Sequence, residues 1–511
     1  ISASRLVPEE GAMKRRLENT SPPNIKKSKT MRVLNGGSTE SLDKVVLFPF
    51  DDYSLPFQHG VELQLISRQA GHGNLPVVPL GDADAHDSEW IAYYGTVIAI
   101  DGELWMWYLG QGPDEDWHQR VCLAKSRDGK HWEKPNLGLV EYHGHRDNNL
   151  VDMGEDLHVQ ACVIFHEPDD PNPDKRFKMA FETRKHRGLS VAYSRDGLTW
   201  HESPNNPVSG WFEMSGGTKL DGCYYLAGQG GSHAVGVRQL VTTASYDFEH
   251  WVDATCSGLR RSNLAPTPAV TGKNSGEQVH LGAGLWNRGN VIIGFYGKWN
   301  GHPSNDRRML TMDLGLAVSN DAMHYKEPTP DFPIVSAAED GWTQKRRASL
   351  NLNFPALIQG QGFENIGDET LFWYAPWPEE ASDGIRVTTW PRDRLGYFSA
   401  FGTGIWGYSQ DTSHIISAPI DFEGQSVRIT VNVDGINEHS HIRLQLLDKH
   451  FHTITGYEKG LGPNEPGLAQ PVTWDGLNTI NGVEEPIRVR VDFEGVRPED
   501  VRLYAIYVEP V

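Results

Sequence analysis

The sequence comprises 511 residues with a net charge of −20 and 38% hydrophobic residues. So acidic a surface argues against nucleic acid or an anionic membrane as the main partner. No apolar run reaches the ~18–20 residues that span a bilayer. The four cysteines (Cys122, Cys162, Cys223 and Cys256) lack CxxC spacing, which argues against a disulfide scaffold and a structural zinc site, and composition sets no oligomeric state.

Residues 1–44 read as a polar, Pro-containing tail with basic clusters at Lys14, Arg15, Arg16 and at Lys26, Lys27, Lys29. The spacing resembles a bipartite nuclear import pattern, but the low specificity of such patterns favours a solvated basic arm. The tail is expected to pack little against an acidic body, and no apolar signal-peptide core is seen in it. From residue 45 the texture is all-β, with short apolar runs and tight turns. Gly95–Ile100 and Leu104–Tyr108, flanking Asp101-Gly102, predict a hairpin.

A repeat follows. Ser126-Arg127-Asp128-Gly129-Lys130-His131-Trp132 recurs as Ser194-Arg195-Asp196-Gly197-Leu198-Thr199-Trp200, as Ser245-Tyr246-Asp247-Phe248-Glu249-His250-Trp251 and as Ser319-Asn320-Asp321-Ala322-Met323-His324-Tyr325. A degenerate fifth copy lies at Thr389–Asp393. Each intact copy follows a β run, where the Asp can cap turn amides while the aromatic ring packs on the sheet. Five units at such spacings predict a five-bladed β-propeller over 45–403, with blades at 85–135, 156–204, 209–255, 277–330 and 345–400. The repeats are expected on outer hairpins, away from the axis. After residue 403, period-2 alternation at Val427–Val433, Ile442–Leu447, Ile487–Asp492 and Val501–Tyr507 predicts a β-sandwich over 404–511.

The 16 Trp, 17 Tyr and 18 Phe suit a cleft that stacks sugar rings. The repeats, together with Trp211-Phe212-Glu213-Met214-Ser215-Gly216 and the Leu220-Asp221-Gly222 hairpin after it, resemble glycoside hydrolase families 32 and 43, the sandwich being the family 32 trait. The resemblance covers about residues 46–511. It implies a glycoside hydrolase acting on an oligo- or polysaccharide, furanosidic in type, with Glu213 as general acid. It would favour an extracellular or periplasmic setting. The family's acids at the inner strands of blades one and two fall near Tyr93 and Gln160, which are not acids. Asp87 and Asp156 are the nearby carboxylate candidates for the catalytic set. The missing acids leave a non-catalytic carbohydrate-binding propeller as the alternative.

Glycoside cleavage uses two carboxyl groups flanking the scissile bond. Burial beside Trp211 and Phe212 would raise the Glu213 pKa and suit it to donate a proton. Trp90, His158, Gln160, Arg184, His186, Trp211, His280, Trp286 and Asn353 are candidates to line the axial funnel and bind substrate, since each lies near an inner strand or its loop. His143 and His145 lack a third ligand at convincing spacing, so neither metal nor other cofactor is expected, although a structural calcium in the axial channel is compatible with the fold.

Overall fold

The computed structural model describes residues 31–37, 39–68, 75–113, 115, 117–230, 238–261, 272–340, 352–377, 383–401 and 412–511, the Cys256 side chain excepted. Among these the regular structure is β, with only short 3₁₀ turns. No described helix is long and apolar enough to cross a membrane.

The architecture is a five-bladed propeller joined to a two-sheet sandwich. Blades two, three and four are four-stranded antiparallel sheets in chain order, with inner strands Cys162–His166, Glu213–Leu220 and Gly276–Asn287. Blade one runs from its inner strand Trp90–Ile100 through Glu103–Gln111 to Arg120–Ser126, and the isolated bridges Lys125–Glu133 and Cys122–Leu150 extend it outward. Blade five begins at Leu357–Ile366, and its outermost strand is Val78–Pro79, paired with Gly384 and Ile385. A segment that precedes blade one in the chain thus closes the ring, and the blade boundary predicted from sequence lacked this piece.

The domain boundary also differs from the sequence expectation. Gly396–Ala400, assigned above to blade five, pairs with Val61–Leu65 in a sandwich sheet. Val45–Leu47 pairs with the last strand, Arg502–Pro510, and Phe57–His59 pairs with His414–Ile416. Nor is the whole of 1–44 a loose arm. Arg32–Val33 pairs with Ile420–Asp421, and Met31 and Val33 are buried in the sandwich core. The reason is in the residues. The basic clusters stop at Lys29, and Met31, Val33, Val45, Val46 and Leu47 supply apolar side chains that a sheet edge can bury. Residues 1–30, which carry both basic clusters, lie outside the described residues.

The two sandwich sheets face each other through alternate residues, Val427, Ile429, Val431 and Val433 on one side and Leu444, Leu446, Val489 and Val491 on the other. A second apolar cluster, in which Phe295, Phe372 and Trp390 of blades four and five meet Ala505 and Tyr507, joins the domains.

The four intact repeats fold alike on the outer turns. In the first three the Ser Oγ accepts the amide three residues on, as Ser126 does from Gly129 and Ser194 from Gly197, both at 2.9 Å, whereas Ser319 Oγ accepts from the Asp321 amide at 3.3 Å. The Asp Oδ1 accepts two further amides, Leu198 and Thr199 at 2.8 and 2.9 Å in blade two. The Trp132, Trp200 and Trp251 indoles donate back to the turn carbonyl. In blade four Tyr325 does so through its hydroxyl. The turn carbonyls also bind the preceding blade. Trp107 of blade one donates to Gly197 O at 2.9 Å, and Trp373 of blade five to Gly129 O at 2.8 Å. The fifth copy departs from this pattern. Asp393 is buried, ion-paired with Arg288 and bonded by the Tyr507 hydroxyl at 2.9 Å, so it fastens blades four and five to the sandwich.

Cys122, Cys162 and Cys223 are buried free thiols, as core positions in strands imply.

Candidate active site

Around the axis the inner strands approach too closely for side chains at several points. A Cβ on Gly216 would lie 2.2 Å from Ala283 O, and one on Gly284 2.1 Å from Gly360 O. Polar side chains seal the same level. Gln359 Nε2 donates to Ser215 Oγ at 3.1 Å and to His280 O at 2.9 Å. Thr96 Oγ1 donates to Cys162 O at 3.1 Å. The axis is therefore plugged rather than open, and the space lies toward the starts of the inner strands.

A cavity of about 230 Å³ occupies that end. All five blades contribute to it: Trp90, Tyr94, Trp117 and Gln119 from blade one; His158, Gln160 and Arg184 from blade two; Glu213, Gln229 and Arg238 from blade three; His280, Leu281 and Arg307 from blade four; Trp377 from blade five. These positions are inner-strand starts and the loops between second and third strands, which share one edge of each blade. None of the repeat residues lines it.

Bulges aim several of these side chains. The pairing of the inner strand shifts between Ala92 and Thr96 in blade one, between Met214 and Gly216 in blade three and between His280 and Ala283 in blade four. Leu281 sits at φ 57, a costly conformation for a branched side chain, and its amide donates to Gln229 Oε1 at 3.1 Å. The bulge holds both His280 and Leu281 at the cavity wall.

Glu213 is the only carboxylate among the described lining residues. Burial raises its pKa above the ordinary value, while hydrogen bonds from the Trp211 indole and the Gln160 amide and the charges of Arg238 and Arg307 act in the opposite direction. A second carboxyl stands behind it. Glu182, on the blade-two strand Phe177–Thr183, is fully buried, and neither of its oxygens has a partner within hydrogen-bonding geometry. The Phe212 amide, the smallest of the influences on it, acts to lower its pKa. Burial first, and then the charge of Glu213, hold its pKa well above the usual carboxylate range.

The histidines are neutral. Burial, with Arg184 and His118 nearby, lowers His158 to about 4. Its Nδ1 accepts the Gln119 amide at 3.1 Å, which assigns the ring proton to Nε2. Burial and then Arg238 and Arg307 push His280 well below its ordinary value. Its ring stacks on Trp299 with centroids 5.7 Å apart and faces Trp377 at 5.3 Å. Trp90 and Trp117 meet edge to face at 5.2 Å.

Of the sequence candidates, Glu213, Trp90, His158, Gln160, Arg184 and His280 meet at the cavity. Trp211, 47% exposed, reaches Glu213 from the rim. The others lie elsewhere. Asp87 is 1% exposed, ion-paired with Lys134 at 2.6 Å and bonded by the Tyr108 hydroxyl at 2.7 Å, a fully satisfied group inside blade one. Asp156 is exposed and held by Arg120 at 2.6 Å and His118 at 3.0 Å. His186 pairs with Glu202 at 2.6 Å. Trp286 stacks on Phe363 at 5.3 Å in the cluster that joins the domains. Asn353 is exposed, its amide donating to Arg308 O at 2.8 Å. Ion pairing or packing satisfies each of these groups where it stands.

Sequence reading missed Tyr94, Trp117, Gln119, Gln229, Arg238, Arg307 and Trp377. In blade one the place of the family's acid falls near Tyr93, whose ring packs against the axis at Gly360 and Gly362. Among the described residues no group of three or more His, Cys, Asp or Glu could hold a metal ion.

Neither a protein-family model nor a curated protein matches the chain. Solved structures do. The chain is similar to a glycosyl hydrolase from Bacteroides ovatus, with 14% identity over 65% of this chain and 95% of that one and a TM-score of 0.41. It is similar to a GH32 β-fructofuranosidase from Bombyx mori, with 12% identity over 86% and 95% of the two chains and a TM-score of 0.38. A fructofuranosidase from Schwanniomyces occidentalis, complexed with fructosylnystose, gives 12% identity over 88% and 99% and a TM-score of 0.37.

Proposed function

We propose that the chain is a glycoside hydrolase that cleaves an oligo- or polysaccharide, furanosidic in type, in the axial cavity. The observation that carries this reading is Glu213: a carboxyl at a strand start, its pKa raised by burial, facing a space walled by Trp90, Trp117, Trp377 and Tyr94. Indole and phenol faces stack on the C–H faces of a sugar ring, and the polar edges orient its hydroxyls. Glu213 would protonate the leaving oxygen. The Trp211 and Gln160 donors and the charges of Arg238 and Arg307 would then stabilise the carboxylate left behind. His158 is not the base for an attacking water, because its free nitrogen carries the proton.

A second reading is a propeller that binds glycans without cleaving them. It is favoured by the single lining carboxylate among the described residues, since acid/base cleavage commonly uses two. A glycan panel, scored for both binding and product release, separates the readings. The hydrolase reading expects cleavage that Glu213→Gln reduces at least ~100-fold with binding retained. Binding without product, in wild type as in the variant, would replace it with the binding-module reading.

A further inference from the structure

We propose that the axial cavity recognises an oxyanion through the guanidinium groups of Arg238 and Arg307, the oxyanion being either a carboxylate, sulfate or phosphate group of the glycan or free inorganic phosphate. The inference deepens the glycan reading and rests on it for the sugar portion of the ligand only.

Elsewhere in the molecule several buried cations are neutralised by carboxylates where they stand. Arg120 lies between Glu115 and Asp156, Arg386 between Asp340 and Asp383, and Lys178 between Glu167 and Asp170. Arg238 and Arg307 are different. Among the described residues neither has a carboxylate within ion-pair distance. Arg238 Nη1 donates to Lys273 O at 3.1 Å and Gln278 Oε1 at 3.0 Å, and its guanidinium lies 4.7 Å from the Trp299 ring centre. Arg307 lies 4.9 Å from the Trp377 ring centre, and its Nε is buried without a partner. Glu213, the one lining carboxylate among the described residues, has its pKa raised by burial. A chain of net charge −20 thus keeps two guanidiniums at its axial cavity that have no ion-pair partner among the described residues.

The unpaired neutral groups point the same way. Trp90 Nε1 and Gln119 Nε2 are buried donors with no acceptor among the described residues. The free nitrogen of His158 carries its proton. A neutral sugar offers donors and acceptors in similar number. Leftover donors beside guanidiniums instead select a ligand group that only accepts, and planar N–H forks suit carboxylate, sulfate and phosphate.

Calorimetry on matched pairs of neutral and uronate- or sulfate-bearing oligosaccharides tests this, together with thermal melts in inorganic phosphate against chloride at equal ionic strength. We expect the anionic member of a pair to bind at least about tenfold tighter, or phosphate to raise the melting temperature and tighten binding of the neutral member. The first result assigns the oxyanion to the glycan and the second to free phosphate. Arg307→Gln should weaken that binding by about 10- to 100-fold, the worth of a charge-assisted hydrogen bond. Arg307→Lys, which keeps the charge and guards against a folding defect, should lose less. Equal affinity for neutral and anionic partners with no phosphate-specific shift would overturn the inference, as would unchanged oxyanion binding in both Arg307→Gln and Arg238→Gln. Tight anionic binding without cleavage would leave it standing while removing the hydrolase reading. Cleavage of neutral glycans with no oxyanion preference would do the reverse.

Discussion

The two ends of each blade treat polar groups in opposite ways. At the outer turns the Ser, Asp and aromatic side chains of the repeat bond within the turn itself: Asp196 accepts from Leu198, Thr199 and Ser194, and Trp200 donates to Gly197 O. At the axial end, Glu182, Trp90, Gln119, His280 and Arg307 each keep a buried polar atom without a partner. Unsatisfied buried groups cost about 1–3 kcal/mol each, and structure elsewhere must offset that cost. The outer turns thus serve stability, and the axial end gives up stability to hold groups ready for a ligand.

Disrupting this division should have its largest effect at Asp87. As a satisfied carboxylate inside blade one, paired with Lys134 and Tyr108, it belongs with the stabilising groups although it lies near the axial end in sequence. Asp87→Ala leaves Lys134 without its carboxylate and should lower stability by about 3 kcal/mol in denaturant unfolding, the low end for a broken buried pair. Glycan binding per folded molecule should not change. A stable variant with lost turnover would return Asp87 to the catalytic set.

An intermediate effect is expected at the outer turns. Asp196→Ala removes two amide bonds and one hydroxyl bond from the blade-two turn, and a loss of about 1–2 kcal/mol in midpoint-derived stability should follow, with glycan affinity unchanged. A larger effect on binding than on stability would break the comparison.

Glu182 sharpens the comparison through pH. Its pKa in the folded chain lies well above the ordinary 4.5, so the folded state retains a proton that the unfolded chain releases. The stability linked to this group is fully present below about pH 4.5 and declines as pH rises toward the folded-state pKa, at up to about 1.4 kcal/mol per pH unit. Glu182→Gln, which keeps the neutral shape, should remove that decline, so the variant should overtake wild type on the alkaline side. Parallel stability profiles from pH 5 to 9 would show that Glu182 ionises normally. The smallest effect is expected at Asp156, exposed and paired with Arg120 and His118: Asp156→Asn should cost under about 1 kcal/mol and leave turnover unchanged.

The same division explains what could be read from sequence. The outer turns are local motifs, in which Ser, Asp and the aromatic residue lie within seven positions, so four copies announce themselves and predict the blades. Glu213 was legible because its neighbours form a recognisable segment. Tyr94 was not, since the bulge between Ala92 and Thr96 shifts the alternation of faces, and a slip of one residue exchanges wall for core. Arg238 and Arg307 come from loops within blades three and four, and no spacing rule brings them together. Val78–Pro79 fell outside every predicted blade, and Val45–Leu47 was assigned to the propeller rather than the sandwich, because their partners lie more than 300 residues away, beyond the reach of any local pattern.

The most direct test of the central claim is the leaving-group dependence of Glu213→Gln. Aryl glycosides spanning a range of phenol acidities would be compared with the natural-type alkyl glycoside for wild type and variant. If Glu213 donates the proton, the alkyl substrate should slow at least ~100-fold, while the most acidic phenol, which departs with little help, should slow far less. An equal loss on all substrates, or none on the alkyl glycoside, would contradict Glu213 as the general acid.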